Sequence, residues 1–402
     1  TNIGRGFIEI KDARGVRHKQ EIYDHFPNAK KTFVHDKSLV KIGDSVTQGQ
    51  PIARSNFVTD DGDLAMGRNL RVAFAAAPGG SSFEDSISVS ETASKKMTSS
   101  HMSKFTVDTS SGDMIDKARY TSFFPGRFTK EQLAKLDENG MAKPGAKLSM
   151  GDPVMLAFRP RVLNSKDSAL GNLSKMLKGT FEDQASIWEK PYDGVVSHAV
   201  KYRTGFRANV TYDAPLKIGD KISARQGAKG VVGAVIKDHD MPVDENGDPI
   251  EIFINPAALI GRVNPAMVFE AQLGKIAART GKRIVMEDGV GGGSTLAYVR
   301  KQLLDNGMSA NETLTNQETG RQIKNVMTGV QYFMKLEHTA DGKISGRDDG
   351  ATDINEQPSK GGSEGAKRLG GLMNTALLGY GATEVLRDAH LVHLNWLKEI
   401  NR

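Results

Sequence analysis

Cysteine is absent from all 402 residues. That removes disulfides, thiolate nucleophiles and cysteine-built zinc fingers together, and it fits a reducing compartment. Long hydrophobic runs are missing too: no stretch approaches the roughly 18 apolar residues of a membrane span. The opening Thr1-Asn2-Ile3-Gly4 is not a secretory leader. A start at Thr1 is what removal of an initiator methionine before a small residue leaves, and proteolytic maturation would leave the same. What is present is globular in kind. Hydrophobic residues make up 38%, and 43 Gly bring the apolar sum near half. The length is enough for two or three domains with cores of their own. A net charge of +6 and a pI near 9.2 lean toward polyanions, and the meaning of that lean depends on where the charge sits.

Along the chain, residues 1–75 read as short strands broken by turns, ending in a nearly continuous apolar strand from Leu70 to Ala77. From about 95 to 205, Lys and Ser clusters alternate with short apolar runs, which predicts an inserted β-rich domain. Residues 208–268 return to compact β structure punctuated by Gly-Asp and Asn-Pro turns. Residues 265–285 and 297–306 carry helical patterns. So does the tail, where Leu386, Ala389, His393, Trp396, Leu397 and Ile400 recur at three-to-four spacing and form one apolar face for packing.

The densest chemical signal lies between Lys217 and Gly230. Lys217, Lys221, Arg225 and Lys229 are four apart, so on a helix they would form one solvated cationic stripe. Gly219, Gly227 and Gly230 argue against a helix, since each costs about 1 kcal/mol in its interior. On a glycine-permitted loop several of these cations can converge on one anion, which points to a phosphate site. Arg262 follows a strand-like Ile252–Ile254 and an Asn255-Pro256 turn. It is either an ordinary surface arginine or a bidentate phosphate ligand. Glu84 and Asp85 follow Pro78-Gly79-Gly80. Alone they read as a turn or helix start. As adjacent carboxylates they can hardly cage one ion, although one of them suffices to touch a hydrated Mg²⁺ that already holds phosphates.

Other acidic and glycine-rich runs are decoys. Asp60-Asp61-Gly62-Asp63 reads as a solvated turn. The run beginning at Asp244 has Pro249 and Asn255 where a calcium loop needs Gly and Glu. Gly289 to Thr295 lacks the Gly-Lys-Ser/Thr of a phosphate-binding P-loop and reads as a linker.

Taken together, ordered segments resemble the β subunit of multisubunit RNA polymerases. They are Gly67 to Phe74, Phe83 to Glu91, Gly219 to Gly230, Asp240 to Gly247 with Ile254-Asn255-Pro256, Tyr332 to His338, Gln357-Pro358, Arg368-Leu369-Gly370 and Tyr380-Gly381-Ala382. The resemblance runs from Val40 to Leu386 and covers the carboxy-terminal half of that subunit. It departs from the family at Gln226, where His is usual, and at Ile260-Gly261 before Arg262, where Pro-Ser is usual. The Gln357 to Arg368 stretch is about one residue short, and the segment between Glu84 and Lys221 is much shorter than in cellular bacterial enzymes. With β divided, this divergence resembles the polymerases of giant tailed bacteriophages.

The resemblance implies an α+β, β-rich fold. It divides the chain into the first part of a double-psi β-barrel (residues 1–95), a reduced flap-like insert (96–205), the second part of the barrel (206–285), and a linker, switch-like loop and helical clamp segment (286–402). It implies two-metal nucleotidyl transfer, with the principal Mg²⁺ held by the Asp triad of a β′-like partner and no zinc. Lys221 and Lys229 would contact the RNA 3′ end and the reacting phosphates, and Arg262 the incoming triphosphate. Asp85 with Glu84 would sit near the second, substrate-borne Mg²⁺. Arg225, Lys335, His338, Lys367 and Arg368 would contact nucleic acid or substrate. The implied partners are β′-like subunits, an amino-terminal β-like subunit, a promoter-specificity subunit, template DNA, RNA and NTPs, in the cytoplasm of an infected bacterium or in the virion, with no membrane. The rival reading is a nucleic-acid-binding or virion structural protein that keeps the fold without the chemistry. Retention of Asp85, Lys221, Lys229 and Arg262 together speaks against it, because a binder needs only generic positive charge.

Overall fold

The computed structural model describes residues 2–4, 6–29, 31–160, 181–286, 294–343 and 369–387, and the chain divides into two units, residues 1–340 and 341–402. Short strands open the first unit. Asn2–Gly4, Phe7–Lys11 and Arg17–Glu21 (β1–β3) make an antiparallel sheet, and Phe26–Pro27 pairs with Phe33–Val34 (β4, β5). Asp36–Ser38 pairs with Ala53–Ser55 (β6, β7).

The centre of the unit is a sheet built from distant segments. Arg68–Phe74 (β8) and Ser86–Ser90 (β9) are followed by the short helix Glu91–Lys96 (α1). The chain then makes a long excursion and returns as Lys221–Ala224 (β19), Lys229–Ile236 (β20) and Ile252–Ile254 (β21). The last strands are Asn311–Thr315 (β22) and Gln322–Lys335 (β23). The order is β19-β20-β9-β21-β8-β23-β22, and β23 also pairs with β19, so six strands close on themselves. Two neighbours, β20 with β9 and β21 with β8, run parallel. Residues 70–95 and 208–268 are thus side by side although more than a hundred residues separate them.

Alternation fills the interior. Leu70, Val72 and Phe74 point inward from β8, and they meet Ile87, Val89, Ile222, Val232, Ile254 and Phe333 from the other strands. Ala73 and Phe253 face a second cluster on the outer side, as the period of two in a strand requires. Sequential helices Pro256–Arg262 (α4) and Pro265–Thr280 (α5) cover one flank, and α5 seals the interior with Met267 and Ala271. Here the structure corrects the reading of 208–268 as β throughout: the Asn255 side chain accepts the Ala257 N–H at 2.9 Å, so Asn255-Pro256 starts a helix rather than a turn. The helical pattern near 297–306 is the helix Thr295–Asp305 (α6).

The excursion contains Ser99–Asp108 (β10), Met114–Ile115 (β11), the helices Lys117–Phe123 and Lys130–Ala134 (α2, α3), Lys147–Leu148 (β12), Pro153–Met155 (β13), Ala157–Pro160 (β14), Phe181–Asp183 (β15) and Ser186–Ile187 (β16). It ends in Gly194–Tyr202 (β17) and Gly205–Ala214 (β18). It has its own core around Tyr120, Phe158 and Trp188, whose indole N–H donates to the Tyr192 carbonyl at 2.7 Å. Strand β18 pairs with β10 over its whole length, from Ser99↔Ala214 to Asp108↔Gly205.

Beside that entry, His101 of β10 is 7% exposed and lies 2.8 Å from Ser99 Oγ. Burial, and then the Lys335 ammonium, push its pKa from 6.5 down to about 4. The native imidazole is therefore neutral where the unfolded one is charged, so between about pH 6.5 and 4 the unfolded chain binds more protons. His101's share of stability is complete above the upper limit and lost as pH falls through the lower one. Unfolding midpoints measured from pH 7 to 4 should fall more steeply for the parent chain than for His101→Gln.

In the second unit Gly371–Gly379 forms a helix (α7). Lys367, Arg368, the Gly289 to Gly293 run and the tail from Ala389 to Ile400 lie outside the described residues. Among the described residues no helix is long and apolar enough to cross a membrane.

Candidate active site

Residues 221–236 form a β-hairpin, not the cation-gathering loop that glycine spacing suggested. Strands β19 and β20 pair Lys221↔Val231 and Ser223↔Lys229, joined by a turn in which Gly227 takes a left-handed φ of 87°. Directly paired residues share a face, and so do residues two apart, so Lys221 and Lys229 are diagonal neighbours on one face, about 7–8 Å apart and somewhat less at Cβ. Ile222 and Gly230 point the other way, into the core. The other two cations leave the cluster. Lys217 Nζ sits over the Tyr192 ring at 4.5 Å, and the Arg225 guanidinium over the Tyr332 ring at 4.6 Å.

Gly230 explains how the hairpin reaches the acidic pair. A Cβ there would fall 2.4 Å from Ile87 Cδ1 and 2.5 Å from the Asp85 carbonyl oxygen, so only glycine lets β20 lie this close to β9. Next to it the Val231 N–H donates to the Asp85 carbonyl at 3.0 Å. Asp85 and Glu84 form a turn at the start of β9, with Glu84 at a left-handed φ of 49°. Across from them Arg262 ends α4, and its guanidinium pairs with the Asp85 carboxylate, both side chains about half exposed. Val263, which caps that helix, is also left-handed, at φ 47°. That conformation is costly for a β-branched side chain and for most residues other than glycine, and the two instances flank the two members of one ion pair.

Glu84, Asp85, Lys229 and Arg262 thus line one pocket, floored by Ile87, Ile254, Met267 and Phe333. Its enclosed volume is about 30 Å³, room for a water or two and far too little for a nucleotide. Any larger anion must sit at the open mouth, where Lys229 and Arg262 are exposed. Among the described residues no carboxylate pairs with Lys221 or Lys229, whereas Arg262 already has one.

Asn264, which the sequence reading missed, also lines the pocket, and its amide donates to the Gln226 carbonyl at 2.9 Å, tying the α4–α5 corner to the hairpin turn. The signal for it was a second Asn-Pro pair, Asn264-Pro265, that opens α5 as Asn255-Pro256 opens α4.

His338 is exposed beside the site, with its carbonyl accepting the Lys221 N–H at 3.2 Å. Lys335 requires a correction. Its side chain is only 6% exposed, its ammonium donates to the carbonyls of Ala214 and Pro215 at 3.1 and 3.0 Å, and it lies 3.3 Å from the buried Asp220 carboxylate. A cation so enclosed holds the fold together and does not face nucleic acid. Lys367 and Arg368 fall outside the described residues.

Comparison with known proteins gives the chain a family. The family model described as RNA polymerase Rpb2, domain 6, matches residues 13–364. The chain belongs to this family. Among curated relatives, the DNA-directed RNA polymerase subunit beta of Mycoplasmopsis synoviae (strain 53) is 28% identical, covering 89% of this chain and 31% of the relative. That of Mycoplasmopsis pulmonis is 29% identical, covering 95% and 33%, and that of Streptococcus pyogenes serotype M5 is 30% identical, covering 89% and 31%. The chain spans about a third of the length of these relatives.

Proposed function

We propose that this chain forms one wall of the catalytic centre of a DNA-directed RNA polymerase. The observation that carries the reading is the meeting of Glu84, Asp85, Lys229 and Arg262, drawn from three separate segments, at one pocket, with Lys221 on the same hairpin face as Lys229. Catalysis of phosphoryl transfer is largely positioning and charge stabilisation. Lys221 and Lys229 would place fixed positive charge against the RNA 3′ end and the reacting phosphates. Arg262 would exchange its carboxylate partner for the triphosphate, which a guanidinium can grip bidentately. Asp85, released by that exchange and helped by Glu84, would face the Mg²⁺ that the triphosphate carries. The donor set fits such an ion, since Mg²⁺ keeps most of its waters and takes one or two carboxylates beside phosphates. When bound, the metal supplies neutralisation of phosphate charge.

In this reading the closed six-stranded sheet is the double-psi β-barrel and the excursion between α1 and β19 a reduced flap. Arg225 and His338, at the rim, would contact nucleic acid. The principal Mg²⁺ belongs to an Asp triad on a β′-like chain. The rest of β, a specificity subunit, template, transcript and NTPs complete the assembly, in the cytoplasm of a bacterial cell.

The test is kinetic. Arg262→Ala in the assembled enzyme should raise the apparent KM for NTP about ten- to a hundredfold, the equivalent of one lost charge-assisted hydrogen bond. Scaffold affinity should change little, and the 402-residue chain alone should incorporate no nucleotide. An unchanged KM with weakened scaffold binding would favour the binder instead.

A further inference from the structure

Apart from the residues of this pocket, three histidines gather around one aspartate. His25 Nδ1 and His35 Nδ1 lie 2.7 and 3.4 Å from Asp24 Oδ1, and His198 Nε2 lies 3.4 Å from Asp24 Oδ2. Donor atoms of Asp24, His25 and His35 all fall within 4.8 Å of one another, and His198 stands outside that group, beside the other carboxylate oxygen. All four side chains are 20–38% exposed, so the cluster is sheltered yet reachable from solvent.

The backbone arranges this meeting in three ways. Strands β4 and β5 pair Phe26↔Val34 and Pro27↔Phe33, and one step further along that register His25 stands opposite His35. The two rings lie 4.2 Å apart at their centroids. His25 takes a left-handed φ of 50°, and His35 is clamped at its backbone, with its N–H on Asn56 Oδ1 at 3.1 Å and its carbonyl on the Asn56 N–H at 3.0 Å. His198 comes from the other side, on β17. There the pairing with β18 slips between Val196↔Val210 and His198↔Asn209, a bulge that re-aims the side chain. A main-chain bond from the Met102 N–H to the Lys31 carbonyl, at 2.8 Å, already holds the amino-terminal strands against this part of the excursion.

We propose that Asp24, His25, His35 and His198 form a binding site for a divalent transition metal of the zinc class, which fastens the amino-terminal strands to the β10–β18–β17 sheet. Zinc bonds to imidazole nitrogen and carboxylate oxygen measure about 2.0–2.1 Å, so tetrahedral ligands sit about 3.3 Å apart. The contacts of 2.7–3.4 Å to the carboxylate are already near that edge length. His35 Nδ1 is buried and makes no hydrogen bond among the described residues, a donor atom aimed at the cluster without one. Imidazole donors select zinc-class ions over the oxygen-seeking Mg²⁺ and Ca²⁺. The proposal departs from the expectation of no zinc: the lack of cysteine sets aside thiolate sites but leaves this donor set untouched. The second described group of this kind, His239, Asp240 and Glu318, has two of its three residues exposed and no such framing.

The experiment uses the full 402-residue chain, stripped with a chelator and titrated with Zn²⁺ by calorimetry and with Co²⁺ by visible absorption. One equivalent should bind, with the d–d bands of tetrahedral Co²⁺, and added Zn²⁺ should raise the melting temperature while Mg²⁺ does not. His35→Ala and His198→Ala, shown by circular dichroism to be folded, should each weaken Zn²⁺ binding at least tenfold, the lower end of what even an outer-shell partner contributes. Failure of the parent chain to bind one equivalent would overturn the site, whatever the variants do. Undiminished binding in both folded variants would overturn it equally.

Discussion

Replacing Lys229 by alanine in the proposed polymerase assembly should lower the single-nucleotide extension rate at saturating NTP by about 10²–10³, the usual loss when one fixed charge stabiliser is removed. Lys229 stands at the mouth of the pocket, on the face that also carries Lys221. Its strand is anchored to the Asp85 carbonyl through Val231. A strand fixed in that way holds the base of the side chain in place when phosphoryl oxygens gain charge. The same lysine is only one of many cations that a nucleic-acid channel presents, and its loss there removes about one unit of the salt-dependent slope. Scaffold affinity at fixed salt should therefore move several-fold at most. Rapid-quench extension beside a binding titration separates the two, and intact extension with a loosened scaffold would remove Lys229 from the catalytic centre.

Lys335→Ala should act through stability. Asp220 is 2% exposed, and its carboxylate accepts N–H groups from Ala340 and Lys217 at 2.8 and 3.0 Å besides facing Lys335. Removing the ammonium leaves a buried carboxylate without its countercharge, and a broken buried pair typically costs about 3–5 kcal/mol. Denaturant unfolding should record that loss, and Lys335→Met with Asp220→Asn should recover much of it, because the desolvation cost of both charges goes with them. His101 supplies an internal check: its pKa should rise in Lys335→Ala, since Lys335 is the second cause holding it down. A variant of parental stability that binds nucleic acid poorly would return Lys335 to the nucleic-acid contact that the family resemblance implied.

The contrast between Lys229 and Lys335 shows what the chain order could and could not reveal. Periodicity exposed β8 and the helices α5 and α6, because their patterns are local. The pairing of Arg262 with Asp85 depends on a closure spanning 177 residues, and only resemblance to a known family brought those residues into one site beforehand. Lys335 sits at the end of a strand, where a lysine ordinarily faces water, and the carboxylate that turns it inward is more than a hundred residues earlier. Asn255-Pro256 carried a helix-start signature in plain view, but an Asn-Pro pair between apolar runs reads equally well as a turn. His198 depends on a bulge, which no spacing of residue types announces.

The full-length pairing of β10 with β18 has an evolutionary consequence. Ser99 and Ala214 face each other across the ladder, so the point where the chain departs and the point where it returns are about 5 Å apart. A segment attached at two adjacent points can lengthen or shrink without moving the strands on either side. The entropic penalty for closing it grows only with the logarithm of its length. Lineages are therefore free to trim or elaborate this appendage while β9 and β19 keep their places.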